Sequence, residues 1–389
     1  DEPTTGTVTV NLHYHLLVVD AFLNTETPVI VNDLTATSHK VVFKDLLRIT
    51  EKLRVNAEHL SVHRDLILGK ETLVGSGEYS LIDGQNRWDK TVAPELKYFT
   101  NHALINVPQY AHFGDDRQEP YETWVNHGTN NAQNVNIKSK FVQNMGRINA
   151  SASINIDAGD AILQEGMIEA GNLISLTAQN LKMRFQTNIT GGEFVLNVSG
   201  VMTDGGEDSG NIIESRRGVR LVRKSAQGDL LGTEIVTHVD DFEVQEIHWP
   251  AENRGATVEG FKDNCAIGRL VLMHGARSKF VFTGLEGQDN AIYIDYLDIP
   301  RLMYLDEHDL LEGKDVLPMM DIEEGYTVYF AASNIPAEIL DGMYGGRLRW
   351  VRQYPGYYSS MPLYLVGVDK TIRVNRSFRQ SILFDTDDD

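Results

Sequence analysis

A repeat of about 20 residues constrains this chain more than any other feature. Four segments align when written as successive lines: Trp124-Val-Asn-His-Gly-Thr-Asn-Asn-Ala132, Val142-Gln-Asn-Met-Gly-Arg-Ile-Asn-Ala150, Leu163-Gln-Glu-Gly-Met-Ile-Glu-Ala170 and Phe185-Gln-Thr-Asn-Ile-Thr-Gly191. The glycines Gly128, Gly146 and Gly166 step by 18 and 20, and the small residues Ala132, Ala150, Ala170 and Gly191 step by 18, 20 and 21. Two apolar columns keep the same period: Val135, Ile154, Ile174 and Phe194, and Ile137, Ile156, Leu176 and Leu196. Self-similarity at one fixed period marks a stacked architecture. Short strands with Gly and Asn turns at this period predict a parallel β-solenoid. Each turn lies about 4.8 Å from the last, inward side chains form apolar columns, and an Asn at a corner bonds to the Asn above it. An up-and-down β-sandwich with evenly spaced strands is the competing arrangement.

Residues 124–206 fit four such turns. Upstream, Tyr98-Phe-Thr-Asn-His-Ala-Leu-Ile-Asn-Val107 reads as another, with Ala103 lying 25 residues before Gly128 and Asp115-Asp-Arg-Gln-Glu-Pro120 as the loop that makes up the difference. Leu53, Val55, Leu60, Val62, Leu66 and Leu68 add one or two more. Helical periodicity is scarce throughout, so the chain is all-β. Its clearest single strand comes first: Val8, Val10, Leu12, Tyr14, Leu16 and Val18 alternate with Thr7, Thr9, Asn11, His13, His15 and Leu17. That run exceeds the usual ~5–6 residues, and such a strand needs a partner.

After Asp204-Gly-Gly-Glu-Asp-Ser-Gly210 the period is lost. The expected organisation is an N-terminal strand segment (1–30), a parallel β-helix (31–210), an irregular polar connector (211–260), a β-sandwich (261–384) and the start of an acidic segment (385–389). The sandwich rests on seven irregularly spaced strands: Arg269 to Met273, Lys279 to Thr283, Ala291 to Ile299, Tyr326 to Ala331, Arg347 to Gln353, Leu363 to Val366 and Thr371 to Asn375. Phe280 with Phe282, and Leu348 with Trp350, would face its core.

Composition removes several functions. Lys and Arg number 35 against 55 Asp and Glu, a net charge of −20 over 389 residues. Nucleic-acid binding needs clustered cations that displace counterions, and no run of Lys and Arg stands out, so nucleic acid is not expected as a partner. The single cysteine, Cys265, allows neither an intrachain disulfide nor a paired-cysteine zinc site. No stretch approaches the roughly 18 apolar residues of a membrane helix. The start at Asp1 and the acidic end predict a processed piece of a longer parent.

Several phrases carry a resemblance. Asn264-Cys-Ala-Ile-Gly-Arg-Leu-Val-Leu272, Asp289-Asn-Ala-Ile-Tyr-Ile-Asp-Tyr-Leu297, Asn334-Ile-Pro-Ala-Glu-Ile-Leu-Asp-Gly342 and Gly345-Gly-Arg-Leu-Arg-Trp-Val351, followed by Asp385-Thr-Asp-Asp-Asp389, look like the C-terminal part of large secreted bacterial surface proteins. Those carry β-helix repeats of the filamentous-haemagglutinin or autotransporter-adhesin kind and often continue into calcium repeats similar to the thrombospondin type-three pattern. The resemblance covers roughly residues 50 to 389. It implies a secreted location, a right-handed β-helix and an architectural role, and supplies no catalytic residues.

Candidate sites are few. Asp385, Asp387 and Asp389 alternate with the spacing at which calcium loops begin, although the Gly and later acidic ligand of a complete loop fall outside the chain. No cofactor is required; Ca2+ is the ion these acids would take. The turn with Asp204, Glu207 and Asp208 reads as a hydrophilic loop. His13 with His15, and His59 with His63, share strand faces but lack a third ligand, which favours exposed histidines over a metal site. Cys265, next to Ala266 and Ile267, reads as a small buried hydrophobe. Sequons occur at Asn149, Asn188, Asn197 and Asn375, where a solenoid's corner residues produce chance matches. Nucleotide-binding and nucleophile-elbow motifs are absent.

The expected function is therefore that of a non-enzymatic, secreted structural or adhesive surface protein. Val8, Val10, Leu12, Tyr14, Leu16 and Val18 would form an interface through which the first strand adds to a neighbouring subunit, giving an extracellular filament. The alternative for that strand is to cap its own solenoid. Attachment to cell-surface or matrix polymers is the other expected partnership. Two further readings compete: a β-helix polysaccharide lyase or hydrolase using the loop of His112, Asp115, Asp116, Arg117 and Glu119, and a carbohydrate-binding module in which Tyr354, Tyr357 and Tyr358 stack on sugars.

Overall fold

A computed structural model describes residues 11–19, 23–25, 29–43, 47–62, 66–68, 71–74, 78–81, 86–88, 98–101, 104–106, 110–113, 121–206, 209–300, 315–365 and 370–375. The protein is all-β, and its strands coil as a parallel β-solenoid of about 10 turns. The chain divides into two compact units, residues 1–179 and residues 180–389.

In the first unit the strands stack in parallel at the expected spacing. Strand Thr129–Asn144 lies against Arg147–Gln164 from Thr129↔Arg147 to Asn144↔Gln164, with small register shifts at the corners. Arg147–Gln164 continues onto Met167–Ala170, so Ala132, Ala150 and Ala170 fall in one column. Val135↔Ile154 and Ile137↔Ile156 pair directly and are fully buried. Leu104–Asn106 pairs with Thr129 to Asn131, which confirms the 25-residue turn read around Ala103. Farther back, Val29–Phe43 pairs with Leu47–Val62, and Asn11–Val19 pairs with Val29–Phe43 from Asn11↔Ile30 to Val19↔Thr37.

Two features explain why the turns keep this register. At one corner the amides of Asn101, Asn126, Asn144 and Gln164 form a fully buried ladder: Asn101 Nδ2 donates to Asn126 Oδ1 (2.9 Å), Asn126 to Asn144 (2.9 Å) and Asn144 to Gln164 Oε1 (3.2 Å). Gln164 Nε2 ends the series on the Gly166 carbonyl. A side-chain amide donates through its nitrogen and accepts through its oxygen, so a buried corner can be satisfied rung after rung. A second ladder runs in the opposite sense, from Asn149 to Asn131 and on to Asn106, at 2.8 Å each. Beside the first ladder stand the repeat's glycines. A Cβ on Gly166 would lie 1.9 Å from the Gly146 carbonyl oxygen, so this column excludes any side chain.

The second unit keeps the same principle where an irregular connector and a sandwich were expected. Residues 211–248 contain strands Asn211–Leu221, Leu230–Val239 and Val244–His248, all paired in parallel. Leu230–Val239 pairs with Ile267–His274, which pairs with Asn290–Asp298, then Tyr326–Ser333 and Leu348–Trp350. Val244–His248 pairs with Lys279–Thr283 and then Met320–Ile322. The strands expected after residue 261 thus exist close to where they were read, but a two-sheet sandwich is not shown among the described residues. The coil simply continues. Its period was hidden by insertions between rungs, because Glu234 meets Arg269 and Asn290 meets Tyr326, far more than 20 residues on. Antiparallel pairing occurs at Ala251–Glu252 against Asn290–Asp298 and in a hairpin of Ser360–Leu365 with Lys370–Asn375.

Aromatic contacts join an aliphatic column here, in which Ile213, Ile235, Leu270 and Leu297 stack in register and are buried. Phe280 and Phe282 are buried as expected, together with Leu348, while Trp350 is half-buried and donates its indole N–H to the Ala331 carbonyl. Tyr293 stacks on its register partner Tyr329 at 4.6 Å, and Phe261 stacks on Tyr354 at 3.7 Å. Residues 354–360 form a clasp across the rungs: Tyr358 N and Ser359 N donate to the buried Asp295, and Tyr358 Oη donates to the Gly232 carbonyl.

Candidate functional site

The pairing register of the second unit sets four polar residues in one outward column. Arg220 pairs with His248, and His248 with Thr283. Phe282 pairs with Ile322, so the next residues, Thr283 and Glu323, continue the series. Strand alternation puts Ile247 and Phe282 in the core and sends their neighbours His248 and Thr283 to the outer face. The loop 284–288 and the acids Glu246, Glu286 and Glu324 complete a groove around this column.

Hydrogen bonds order its centre. Thr283 Oγ1 donates to Glu246 Oε1 (2.7 Å) and lies 3.0 Å from His248 Nδ1. Because the one hydroxyl proton goes to the carboxylate, Thr283 accepts from Nδ1–H, which leaves the lone pair of the neutral imidazole on Nε2. Nε2 makes no hydrogen bond among the described residues. Burial, reinforced by the Arg220 charge and opposed by Glu246, holds the His248 pKa below its ordinary value. A neutral imidazole of fixed tautomer beside a guanidinium and several carboxylates can accept a proton from, or bind, a polar ligand that carries negative charge at the Arg220 end.

The residues singled out from the sequence fare differently. Asp385, Asp387 and Asp389, Val8 and Val10, and the acids and Arg117 of the 115–119 loop lie outside the described residues, as do Glu207, Asp208 and His63. Leu12, Tyr14, Leu16 and Val18 belong to strand Asn11–Val19, whose backbone pairs with Val29–Phe43 within the chain; their side chains, and those of His13, His15 and His59, lie outside the description. His112 is half-buried and stacks on Tyr110 at 5.7 Å. Asp204 is a buried brace rather than a plain loop residue: its carboxylate accepts from Gly232 N (2.6 Å), Thr233 Oγ1 (2.9 Å) and Gly206 N (3.3 Å), while burial raises its pKa. Cys265 is fully buried as expected, with Sγ accepting from Ser225 N at 3.3 Å and burial pushing its thiol pKa up. Asn149 belongs to the outer amide ladder, and Asn197 Oδ1 accepts from Arg223 Nε.

Of the tyrosines considered for sugar stacking, Tyr357 is half-buried and meets Tyr358 edge-on at 5.1 Å. Tyr354 covers Phe261, and Tyr358 is fixed in the clasp with its hydroxyl pKa pushed up to about 12 by burial. No group of three or more His, Cys, Asp and Glu side chains among the described residues is placed to hold a metal ion. Likewise, no helix among them is long and apolar enough to cross a membrane.

Arg220, His248, Thr283 and Glu323 escaped the sequence reading because they are far apart in the chain and share no motif. Only the register of the lengthened rungs brings them together. A second omission was legible. Arg216, Arg217, Arg220, Arg223 and Lys224 lie within nine residues, broken up by Gly218, Val219, Leu221 and Val222, so a search for uninterrupted basic runs passes over them. Comparison with protein-family models, curated proteins and solved structures yields no match to the chain.

Proposed function

We propose that the protein is a secreted structural and adhesive solenoid of the cell surface, right-handed in its coil, assembling into extracellular filaments through its first strand. The observation that carries this reading is the pairing of Asn11–Val19 with Val29–Phe43. That pairing uses one edge of the strand, and the other edge is where a strand of a second copy adds. The continuous amide ladder from Asn101 to Gln164 supports the mechanical side, since it ties successive turns without relying on flexible contacts. The resemblance to bacterial β-helix surface proteins points the same way, and calcium at Asp385, Asp387 and Asp389 belongs to this reading.

Negative-stain images of the chain with and without residues 1–20 test it. Filaments from the full chain, and folded particles that no longer join after deletion, are the expected pair of results. Full chains that stay single at all concentrations overturn the assembly.

One observation favours a second reading. The Glu246–Thr283–His248 series beside Arg220 has the parts of a polysaccharide lyase or hydrolase: an oriented base, carboxylates and a cation. Release of unsaturated or reducing sugar from acidic polysaccharides by the wild type, and its loss in His248→Asn, would establish turnover; silence across such a panel removes it.

A further inference from the structure

We infer that residues 336–346 are a stopper on the last rungs of the coil: they occupy the edge to which the first strand of a second copy adds, and that strand docks only when they are displaced. The choice of occupant rests on the assembly reading above.

Backbone hydrogen bonds show which edge is meant. Leu348–Trp350 and Met320–Ile322 are the last parallel strands of their faces among the described residues. Val328 N donates to Arg347 O, and Val351 N to Phe330 O, so residues 347, 349 and 351 bond toward the preceding rung. Alternate residues of a parallel strand bond to opposite edges, which turns the N–H and C=O of Leu348 and Trp350 outward. The same alternation holds at Met320–Ile322: Phe280 N donates to Met319 O and Glu323 N to Phe282 O, so Met320 faces outward. An uncovered edge of this kind is a template for another chain's strand.

One short excursion covers it. Gly342 N donates to Leu348 O (2.9 Å), and Asp341 Oδ1 accepts from Trp350 N (3.1 Å) and from Arg349 Nε (3.2 Å). Tyr344 Oη reaches the other strand, 2.9 Å from Met320 O, and accepts from Leu317 N at 2.9 Å. Residues 341–344 thus supply partners to edge groups of both strands, and Ala337, Leu340, Met343 and Tyr344 are buried with them. None of this segment is a strand. It consists of a helical turn, Ala337–Leu340, and an irregular turn, Met343–Gly346, with Asp341 and Gly342 between them. Tyr344, at φ 57°, holds a left-handed conformation that is strained for a residue with a Cβ. An incoming strand offers the same kinds of donor and acceptor in regular order, so exchange replaces the edge bonds rather than abolishing them.

The register selects the occupant. Asn11–Val19 pairs in parallel with the strand that follows it in the chain, whereas Leu348–Trp350 pairs in parallel with the strand that precedes it. Their remaining edges are therefore of opposite sense, and the first strand of one copy stacks on the last rung of another as each rung stacks on the one before.

The test is the binding of a labelled peptide of residues 7–19 to the full chain, read by fluorescence anisotropy, with sedimentation velocity of the same proteins without peptide. A stopper that leaves the edge open in a small fraction of molecules weakens the apparent affinity by that fraction. Asp341→Ala/Tyr344→Phe should therefore bind the peptide at least about tenfold more tightly than wild type and associate at lower concentration. Glu338→Gln, at an exposed position of the same segment, should behave as wild type. If the double variant fails to fold, each single substitution carries the same expectation with a smaller gain. Equal peptide binding by wild type and variants, equal binding of a scrambled peptide, or association of the variants that persists after deletion of residues 1–20 overturns the inference. Wild-type filaments together with unchanged variants overturn this inference alone, whereas tighter peptide binding by variants that never form filaments overturns only the filament reading.

Discussion

Gly146 lies so close over Gly128 that a Cβ added to it would come within 2.0 Å of the Gly128 carbonyl oxygen. The amide nitrogens explain the intimacy: Gly146 N donates to Asn126 O and Arg147 N to Gly128 O, which pulls successive corners into backbone contact. Gly146→Ala must therefore push two rungs apart. It should destabilise the first unit by at least about 2 kcal/mol, near the upper part of the usual overpacking range, as read from the urea midpoint. A change below about 0.5 kcal/mol would show that the corner can relax.

The amide ladder makes a separate prediction. Asn126 accepts from Asn101 and Asn130 and donates to Asn144, all at 2.9 Å. Asn126→Ala removes one hydrogen bond from each of these three buried amides and should cost about 2–4 kcal/mol, more than one ordinary hydrogen bond, because several buried polar groups lose a partner together. Asn155→Ala removes an exposed amide pair with Asn136 and should cost under about 0.5 kcal/mol in the same assay.

His248 predicts a pH dependence of definite sign. Its pKa in the folded protein is lowered, chiefly by burial, so the unfolded chain binds the proton more readily. Stability is then complete above the ordinary histidine pKa of about 6.5 and is lost as pH falls through and below it. Urea midpoints measured from pH 7.5 to 5 should decline for the wild type. The decline should be shallower in His248→Asn, which keeps a donor for Thr283 but cannot titrate.

Cys265 should be chemically silent. It is fully buried, close to Ser225, and its thiol pKa is raised. A thiol reagent added to native protein at pH 8 should react only at the rate of unfolding, while denatured protein reacts within the mixing time. Fast native labelling would mean that the loop near Asn264 opens locally.

The clasp at 354–360 is anchored by Asp295, which accepts from Tyr358 N at 2.7 Å and Ser359 N at 3.3 Å. Asp295→Ala should raise amide hydrogen exchange across 354–360 by more than tenfold while leaving the Phe280–Phe282 core protected. Uniform loss of protection through residues 267–350 would instead make the clasp essential to the whole unit.

The sequence by itself determined the solenoid of the first unit. The 18- and 20-residue steps of Gly128, Gly146 and Gly166, and the Val135 and Ile137 columns, are legible because each turn there has nearly the same length, so residues that stack in space also recur at a constant interval. Even the strand positions near Lys279 and Tyr326 could be read, since alternation is local. Their partners could not. Once insertions of unequal length separate the rungs, pairing is fixed by which backbone edges meet after the chain has travelled around the coil, and a sandwich and a solenoid share the same strand pattern. For the same reason only the tertiary structure aligned Arg220, His248, Thr283 and Glu323, four residues from four different rungs, into one outward column.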